Sequence, residues 1–218
     1  MQREIKIIYE DDDILVIDKP DGILSEDAPG DRNSVPSLLT SHVAPVTRLD
    51  RNVSGVMLLA KNRRAAAFLS AEVSDHARFH KEYRAIVAGE LAVKAGELHD
   101  LLFKDSSKNK TFVVKRMRRG VKEASLSYET LGSIASDIGM ISLLAVRLHT
   151  GRTHQIRVQF ASRRHPLLGD GKYGGASSYP LALHAHRISF IHPNGQRVSF
   201  DSPLPHQSPW TLFPEEKR

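Results

Sequence analysis

Short apolar segments with the alternation of β-strands recur along the whole chain, whereas helical periodicity is confined to a few places. Ile5, Ile7 and Tyr9 stand at every second position, which is typical of one face of a half-buried strand. Asn194-Gly195 separates two further candidate strands and is a strong hairpin-turn signal. The other strand candidates are residues 14–17, 56–61, 80–87, 110–115, 124–131, 140–148, 183–191 and 197–200.

Two longer segments have the features of helices. Asn62 is suited to cap a helix that runs to about Asp75, and residues 154–162 predict a shorter one. A further short helix is expected near residues 35–39, within a loop that spans residues 25–46. The apolar face of the first helix would consist of Ala65, Phe68, Leu69 and Val73.

The order of these elements predicts the fold class. Strands and helices do not alternate in the way that a doubly wound parallel sheet requires. We therefore expect an α+β fold with a large mixed, mainly antiparallel sheet and few helices. No repeat or linker divides the chain, so residues 1–218 are predicted to be a single domain, with residues 201–218 as an extended surface tail that holds four prolines.

Charge and composition favour a polyanionic partner. The chain has 31 Lys and Arg against 25 Asp and Glu, a net charge of +6, and excess positive charge favours nucleic acid through phosphate contacts and counterion release. The absence of cysteine excludes disulfides, zinc–thiolate sites and thiol nucleophiles. No apolar run resembles a signal peptide or approaches the roughly 20 residues that span a bilayer. We therefore expect a cytoplasmic protein without membrane association.

Asp50 is the most informative candidate for catalysis. It lies in the run TRLDRNVSG that begins at Thr47, between two arginines and just before an apolar strand. A turn followed by a buried strand fixes the direction of a carboxylate, as a catalytic acid requires. The alternative is a turn-capping aspartate that is solvated by its arginine neighbours, and the triplet alone leaves both interpretations open.

Two further motifs contain candidate site residues. Lys81 and Tyr83 lie two apart and therefore share a face of a predicted strand, where a tyrosine can line a pocket or simply pack in the core. In the run LHTGRTHQIR, which begins at Leu148, a glycine permits a tight turn before a short helix. Arg152 and Arg157 add two positive charges there, either in a site or as solvated surface residues.

Taken together, these motifs resemble the signatures of the RluA-type pseudouridine synthases, which isomerise uridine in structured RNA. The resemblance implies the α+β fold with an active-site cleft, this activity in residues 1–218 as a single catalytic domain, and a cofactor-free enzyme. Its expected partner is a structured rRNA or tRNA stem-loop; no obligate protein partner is expected, and the enzyme would be a monomer without the N-terminal S4 domain of many relatives. The matching segments run from about Ile7 to Phe200 and read DILVIDKPDGILS, RLDRNVSGVMLLAKN, KEY, TGRTHQIRVQFA, HPLLGD with KYG, and LHA followed by F, HP and G.

The resemblance also implies roles for individual residues. Asp50 would act on the ribose, Tyr83 would stack on the uracil, and Arg157 would pair with Asp50. Arg48 would fill the space that the flipped base leaves. The predicted RNA-binding residues are Arg48, Arg51, Arg152, His154, Gln155, Lys115, Arg116, Arg118 and Arg119.

Two positions depart from the family pattern. The family commonly has His before its Arg-Leu-Asp, where this chain has Thr47, and Thr before its Ser-Gly, where this chain has Val53. Neither departure removes a charged catalytic group. Both could change how the catalytic loop is held.

Three other interpretations remain open at this point. One is a catalytically silent RNA-binding protein on the same scaffold. Another is a hydrolase that uses a second carboxylate, for which Glu82 and Asp170 are the nearest candidates. The last is a metal site in which His184 and His186 share a strand face, although no third ligand has a recognisable spacing, so no metal is predicted.

Overall fold

The computed structural model describes residues 5–31, 33–39 and 43–214 of the 218-residue chain. Within these residues the chain forms eleven strands, three α-helices and one 3₁₀ turn. The strands are β1 (Lys6–Glu10), β2 (Ile14–Lys19), β3 (Ala44–Pro45), β4 (Ser54–Ala60), β5 (His80–Ala88), β6 (Ala95–Asp105), β7 (Lys110–Val114), β8 (Val121–Ser136), β9 (Gly139–Leu148), β10 (Leu183–Ile191) and β11 (Arg197–Asp201).

The helices are α1 (Val35–Leu38), α2 (Arg63–Ser74) and α3 (Gln155–Ala161), and the 3₁₀ turn is Trp210–Leu212. None of the described helices has the length and apolarity needed to cross a bilayer. The chain has two compact units. The first comprises the residues up to Glu82 together with His184–Leu204, and the second comprises Tyr83–Leu183 together with the residues from Pro205 onward.

In the first unit the strand order is β1-β2-β4-β10, with β3 paired to β4 and β11 paired to β10. The described pairs are antiparallel except for β4 and β10, which run parallel. The apolar runs Ile14–Ile17 and Val56–Ala60 are buried along their whole length, as expected of strands that are covered on both faces. The predicted mixed, mainly antiparallel sheet is confirmed.

Two sequence-based details of this unit are wrong. Ile7 and Tyr9 are 50% and 40% exposed; β1 lies at the end of the described strand order and pairs there only with β2, so it is covered less than the inner strands. In α2, the Asn62 side chain accepts the Ala65 N–H at 2.9 Å and caps the helix as predicted. The buried face of α2, however, consists of Ala65, Leu69 and Glu72, while Phe68 is exposed.

Glu72 can occupy that buried face because its carboxylate has a cationic partner. Arg78 NH2 lies 2.8 Å from Glu72 Oε1. Positions 65, 69 and 72 are four and seven residues apart and therefore lie on one narrow stripe of the helix. Phe68 lies at the margin of that stripe, so a paired glutamate replaces the predicted phenylalanine in the interior.

In the second unit the strand order is β5-β9-β8-β6-β7. Strands β5, β7, β8 and β9 and helix α3 were predicted, although β8 is longer than expected. Strand β6 was not predicted, because its alternation is weak: Leu98 and Leu102 are its two buried residues, and they stand four positions apart. The ring of Phe160 on α3 packs edge-on against Tyr128 of β8, with centroids 5.5 Å apart.

The predicted extended surface tail is wrong at several positions. Ser202, Leu204, Trp210 and Phe213 are buried, although most other described residues after Phe200 are exposed, and Trp210 begins the 3₁₀ turn. Two large apolar rings in this segment favour burial over exposure to water. Residues 215–218 lie outside the described residues.

Candidate active site

Asp50 is half-buried in the loop between β3 and β4, and that loop is attached to β4 by hydrogen bonds. Thr47 Oγ1 accepts the Leu58 N–H at 2.9 Å. The Val46 and Thr47 N–H groups donate to Leu58 O at 2.9 and 3.1 Å. Thr47, which stands where the family commonly has His, therefore anchors the segment that leads into Asp50.

A second attachment holds the residue just before Asp50. Ser25 Oγ donates to Leu49 O at 2.8 Å and accepts from Leu49 N at 2.9 Å. After the aspartate, Val53 N donates to Asp50 O at 3.0 Å and closes a turn. The backbone of Asp50 is therefore fixed on both sides, which limits where its carboxylate can point.

Lys19 joins the same loop to the segment that follows β2. Its side chain is fully buried, and Nζ donates to the carbonyl oxygens of Pro20, Ile23 and Arg51 at 2.9, 2.8 and 3.2 Å. Gly22 N also donates to Arg51 O, at 2.7 Å. Lys19 and Gly22 belong to the matching segment DILVIDKPDGILS, for which the sequence predicted no role. The structure shows that these residues support the loop that carries Asp50.

The start of β4 is held from β10 by a serine–histidine contact. Ser54 Oγ lies 2.8 Å from His184 Nδ1, and His184 Nε2 lies 3.3 Å from Ser202 O. A carbonyl can only accept, so Nε2 carries a proton, and Nδ1 pairs with the serine hydroxyl. His186 Nδ1 also contacts Ser202 O, at 3.0 Å. Both histidines of the suggested metal site therefore have hydrogen-bond partners within the protein.

The two arginines that flank Asp50 form ion pairs with one acidic loop. Arg48 NH1 lies 3.0 Å from Glu26 Oε2, and Arg51 NH2 hydrogen-bonds to Asp31 Oδ2. Both arginine side chains remain substantially exposed, at 69% and 43%. They can therefore reach a large ligand such as RNA.

In the second unit, Arg157 on α3 forms a buried, bidentate ion pair. Its Nε and NH2 each lie 2.7 Å from an oxygen of Asp170. A guanidinium held by two parallel hydrogen bonds is fixed in orientation as well as position. The sequence suggested Asp170 only as a rival catalytic carboxylate, and the structure shows that it positions Arg157.

Tyr173 completes this cluster and was not predicted as a site residue. Its ring centroid lies 5.3 Å from Arg157 Cζ and 5.1 Å from Lys110 Nζ. Its hydroxyl accepts the Thr111 N–H at 2.9 Å and lies 2.9 Å from His154 Nδ1. Burial raises the pKa of Tyr173, so its hydroxyl keeps its proton at neutral pH. The signal that could have found it is the H-P-x-x-G-D-x-x-Y segment.

A tight loop around Gly169 and Gly175 places Asp170 beside Arg157. Gly169 has φ +74, and a Cβ there would lie 2.1 Å from Pro180 O. A Cβ on Gly175 would lie 2.0 Å from Leu167 O. Only glycine fits at either position, so the glycines of this motif serve close backbone approach.

Strand β5 carries the other predicted residues. Tyr83 is buried, with 8% of its surface exposed. The Lys81 Nζ lies 5.3 Å from the ring centroid of Phe79. Burial, and secondarily the charge of Arg48, lowers the pKa of Lys81.

The residues around the α3 start differ in their access to a ligand. Arg152 Nε donates to Glu123 O at 2.9 Å. Gln155 is nearly fully buried; its Oε1 accepts from Thr150 Oγ1 and Arg152 N, and its Nε2 donates to Ser125 O. The amide of Gln155 therefore shapes this loop, and its predicted contact with RNA is not supported.

The loop between β7 and β8 presents a basic surface. Lys115, Arg116, Arg118 and Arg119 are all exposed. The Arg118 guanidinium carbon lies 4.9 Å from the centroid of the Phe103 ring, which supports this side chain without removing its charge. We refer to residues 115–119 as the basic loop.

Comparison with known proteins decides the family. Residues 13–162 match the model of the family described as RNA pseudouridylate synthase. The chain belongs to this family. It is therefore an RNA pseudouridine synthase, an isomerase that acts on uridine in RNA.

Individual relatives agree with this assignment. The chain is 33% identical over 215 residues to an uncharacterized RNA pseudouridine synthase of Bacillus subtilis, with 93% of this chain and 69% of the relative covered. It is 33% identical to the ribosomal large subunit pseudouridine synthase D of Zymomonas mobilis, with 92% and 69% covered. The structure of the human RNA pseudouridylate synthase domain containing 1 protein superposes with a TM-score of 0.79 at 21% identity, covering 94% of this chain and 85% of that one. This likeness confirms the fold of an RNA pseudouridylate synthase.

The predicted site residues of this RNA pseudouridylate synthase fall into separate groups. Asp50, Arg48 and Arg51 belong to the first unit, and Tyr83 and Arg157 belong to the second. Arg157 has a partner in Asp170 that the sequence did not predict. The pairing of Arg157 with Asp50 stays a prediction.

Proposed function

We propose that this enzyme converts uridines of structured rRNA or tRNA to pseudouridine and that Asp50 is its catalytic carboxylate. The observation that carries the proposal is the half-buried Asp50 on a loop whose backbone is held on both sides, by Ser25 and Val53. Membership of the RNA pseudouridylate synthase family supports the reaction. Residues 1–218 would act as one catalytic domain in the cytoplasm, as a monomer without a protein partner.

The chemistry needs one well-placed carboxylate. The N1–C1′ bond of uridine breaks, the uracil turns, and a C5–C1′ bond forms, so the product is an isomer of the substrate. No electrons or groups are gained or lost, and the balance therefore requires no cofactor. Asp50 can attack C1′, or it can remove the C2′ proton to give a glycal, and both routes use the same ionised carboxylate at the ribose.

We assign supporting roles to Arg157 and Tyr83. Asp170 binds the Nε and NH2 atoms of Arg157, and a guanidinium carries five N–H donors in a fixed fork, enough for two carboxylates. Arg157, oriented by Asp170, would in turn orient Asp50. Tyr83 would stack on the freed uracil and help to remove the C5 proton.

RNA binding would rest on exposed cations. The target uridine must leave its stack, at a cost of about a few kcal/mol, and an unpaired loop uridine leaves most easily. Arg48 would fill the space that it vacates. Arg51, Arg152, His154 and the basic loop would contact the backbone of the stem, where phosphate contacts supply most of the affinity.

Replacement of Asp50 by asparagine tests the catalytic assignment. Because Asn neither attacks C1′ nor accepts the C2′ proton, we expect no detectable pseudouridine in total RNA from a strain that lacks the gene. RNA affinity should remain close to that of the wild type. The control is Asp12→Asn, an exposed aspartate with the same change in net charge. Turnover by Asp50→Asn near the wild-type rate would remove Asp50 from catalysis.

Replacement of Arg157 by lysine tests orientation separately from charge. Lysine keeps the positive charge but cannot form the two parallel hydrogen bonds to Asp170. We expect a loss of about a hundredfold in single-turnover rate, which is the usual effect of misplacing a catalytic group by about 1 Å. Arg163→Lys is the control, since Arg163 binds Asp100 with two nitrogens but is more exposed. Equal rates for both variants would contradict a positioning role for Arg157.

A further inference from the structure

The loop of residues 25–31, here called the acidic brace, is built against the segment that carries Asp50. Its Ser25 hydroxyl binds both backbone groups of Leu49. Three of its seven residues are acidic, namely Glu26, Asp27 and Asp31. The carboxylates of Glu26 and Asp31 bind the two arginines that flank Asp50.

The third carboxylate of the acidic brace has a different task. Asp27 Oδ1 accepts the hydroxyl protons of Ser34 and Ser37, at the start of α1. Asp31 Oδ1 accepts Asn33 N at 2.9 Å, and Asp31 N donates to Ala28 O at 3.0 Å. The loop therefore has internal hydrogen bonds of its own, and the two arginine pairs are additional to them.

Arg48 has both a negative and a positive neighbour, because Glu26 binds it and Lys81 lies nearby. Lys81 lies close enough to Arg48 for the two positive charges to repel each other. Hydrogen bonding to Arg51, together with the Asn33 N–H, lowers the pKa of Asp31, so this carboxylate is charged at neutral pH. Both pairs are accessible to solvent, and an incoming phosphate can therefore compete for the same guanidinium groups.

We infer that Glu26 and Asp31 hold Arg48 and Arg51 in the RNA-free enzyme and lower its affinity for RNA, because incoming RNA must displace the two carboxylates from the guanidinium groups. This inference rests on the proposed RNA contacts of Arg48 and Arg51. The two carboxylates therefore weaken binding to any RNA, whether or not it contains a target uridine.

The test measures affinity for two short labelled RNA hairpins, one with uridines in its loop and one with cytidines instead. Glu26→Gln and Asp31→Asn should each bind both hairpins about two- to fivefold more tightly, the range expected for an exposed ion pair. Asn at position 31 keeps an oxygen that can accept the Asn33 N–H. The gain should shrink as salt is added, because salt screens exposed charges.

Two sets of variants separate the brace from general charge effects. Glu90→Gln makes the same change in net charge by breaking the exposed Glu90–Lys94 pair and should leave affinity unchanged. In an Arg48→Ala background the effect of Glu26→Gln should disappear, and in an Arg51→Ala background that of Asp31→Asn should disappear. Thermal unfolding curves check that each variant is folded. Glu26→Ala removes the same carboxylate with a different side chain, so an effect that both substitutions share is not a folding defect of one variant.

The outcomes distinguish this inference from the proposed function. If Arg48→Ala and Arg51→Ala weaken RNA binding but the carboxylate variants do not strengthen it, the inference is overturned and the RNA contacts stand. If Glu90→Gln strengthens binding equally, net charge is the cause and the inference is also overturned. If neither arginine variant weakens binding, both the proposed RNA contacts and the inference fail.

Discussion

At the scale of single residues, Lys19 connects two loop segments through three hydrogen bonds from its side chain. A buried ammonium is costly unless it is fully hydrogen-bonded. Lys19 donates to three carbonyl oxygens that belong to two separate segments, one after β2 and one after Asp50. Its burial therefore stabilises the loop geometry on which the candidate catalytic carboxylate depends.

Lys19→Met should destabilise the protein and impair catalysis. The methionine side chain is of similar length, but it leaves the carbonyl of Ile23 and its neighbours without this donor, and we expect the free energy of unfolding to fall by about 2–4 kcal/mol. Urea denaturation measures this change. The product rate should fall more than RNA affinity, because the loop that carries Asp50 loses a support.

Lys172→Met is the matched control for this prediction. Lys172 Nζ also donates to a backbone carbonyl, that of Asn109 at 2.8 Å, but it does so at the surface. Water can replace this contact, so the free energy of unfolding should change by less than about 0.5 kcal/mol. Equal losses in both variants would mean that burial of Lys19 does not matter.

At the scale of secondary-structure elements, the parallel pairing of β4 with β10 is what places the Asp50 loop. The two strands are in register at Ser54↔His184 and Gly55↔Ala185. Gly55 has φ +117, and a Cβ there would lie 2.2 Å from Ala185 O. The glycine of the Ser-Gly pair is therefore required by this close approach rather than by flexibility.

Gly55→Ala should separate the two strands. Backbone strain and steric overlap together should lower the free energy of unfolding by at least about 3 kcal/mol. Gly139→Ala is the control, because Gly139 has φ +101 but a Cβ there would meet no atom within 4 Å; it should cost about 1–2 kcal/mol from strain alone. If thermal or urea unfolding gives the same loss of unfolding free energy for Gly55→Ala and Gly139→Ala, the steric overlap at position 55 does not destabilise the protein.

At the scale of the whole molecule, two aromatic side chains near the end of the described residues are buried. Trp210 and Phe213 are 3% and 1% exposed, and Leu212 between them is 40% exposed. The short 3₁₀ turn places alternate sides of the chain in different environments. The segment after β11 therefore contributes to stability.

Phe213→Ala should lower the free energy of unfolding by about 3–5 kcal/mol, the usual cost of emptying a buried aromatic site. Leu212→Ala should change it by no more than about 0.5 kcal/mol, because that side chain is largely solvated. Urea denaturation of both variants measures the difference. A tail that merely lies on the surface would give two small and similar values.

The sequence by itself determined the local elements and the family. Apolar runs predicted β2 and β4, further apolar or alternating segments predicted β5, β9 and β10, and Asn62 marked the start of α2, because such patterns depend on near neighbours in the chain. Ordered motifs predicted an RNA pseudouridine synthase, and comparison with known proteins confirmed it. Strand β6 was missed because its buried leucines stand four residues apart.

Only the tertiary structure decided which charged groups meet. Arg157 binds Asp170, Lys19 reaches the backbone of Arg51, and the acidic brace holds the arginines beside Asp50. Each of these contacts joins residues 13 or more positions apart. Such pairing depends on how strands and loops come together in space, where a buried charge is stable only beside its partner. The periodicity of a single segment does not predict which distant residue that partner is.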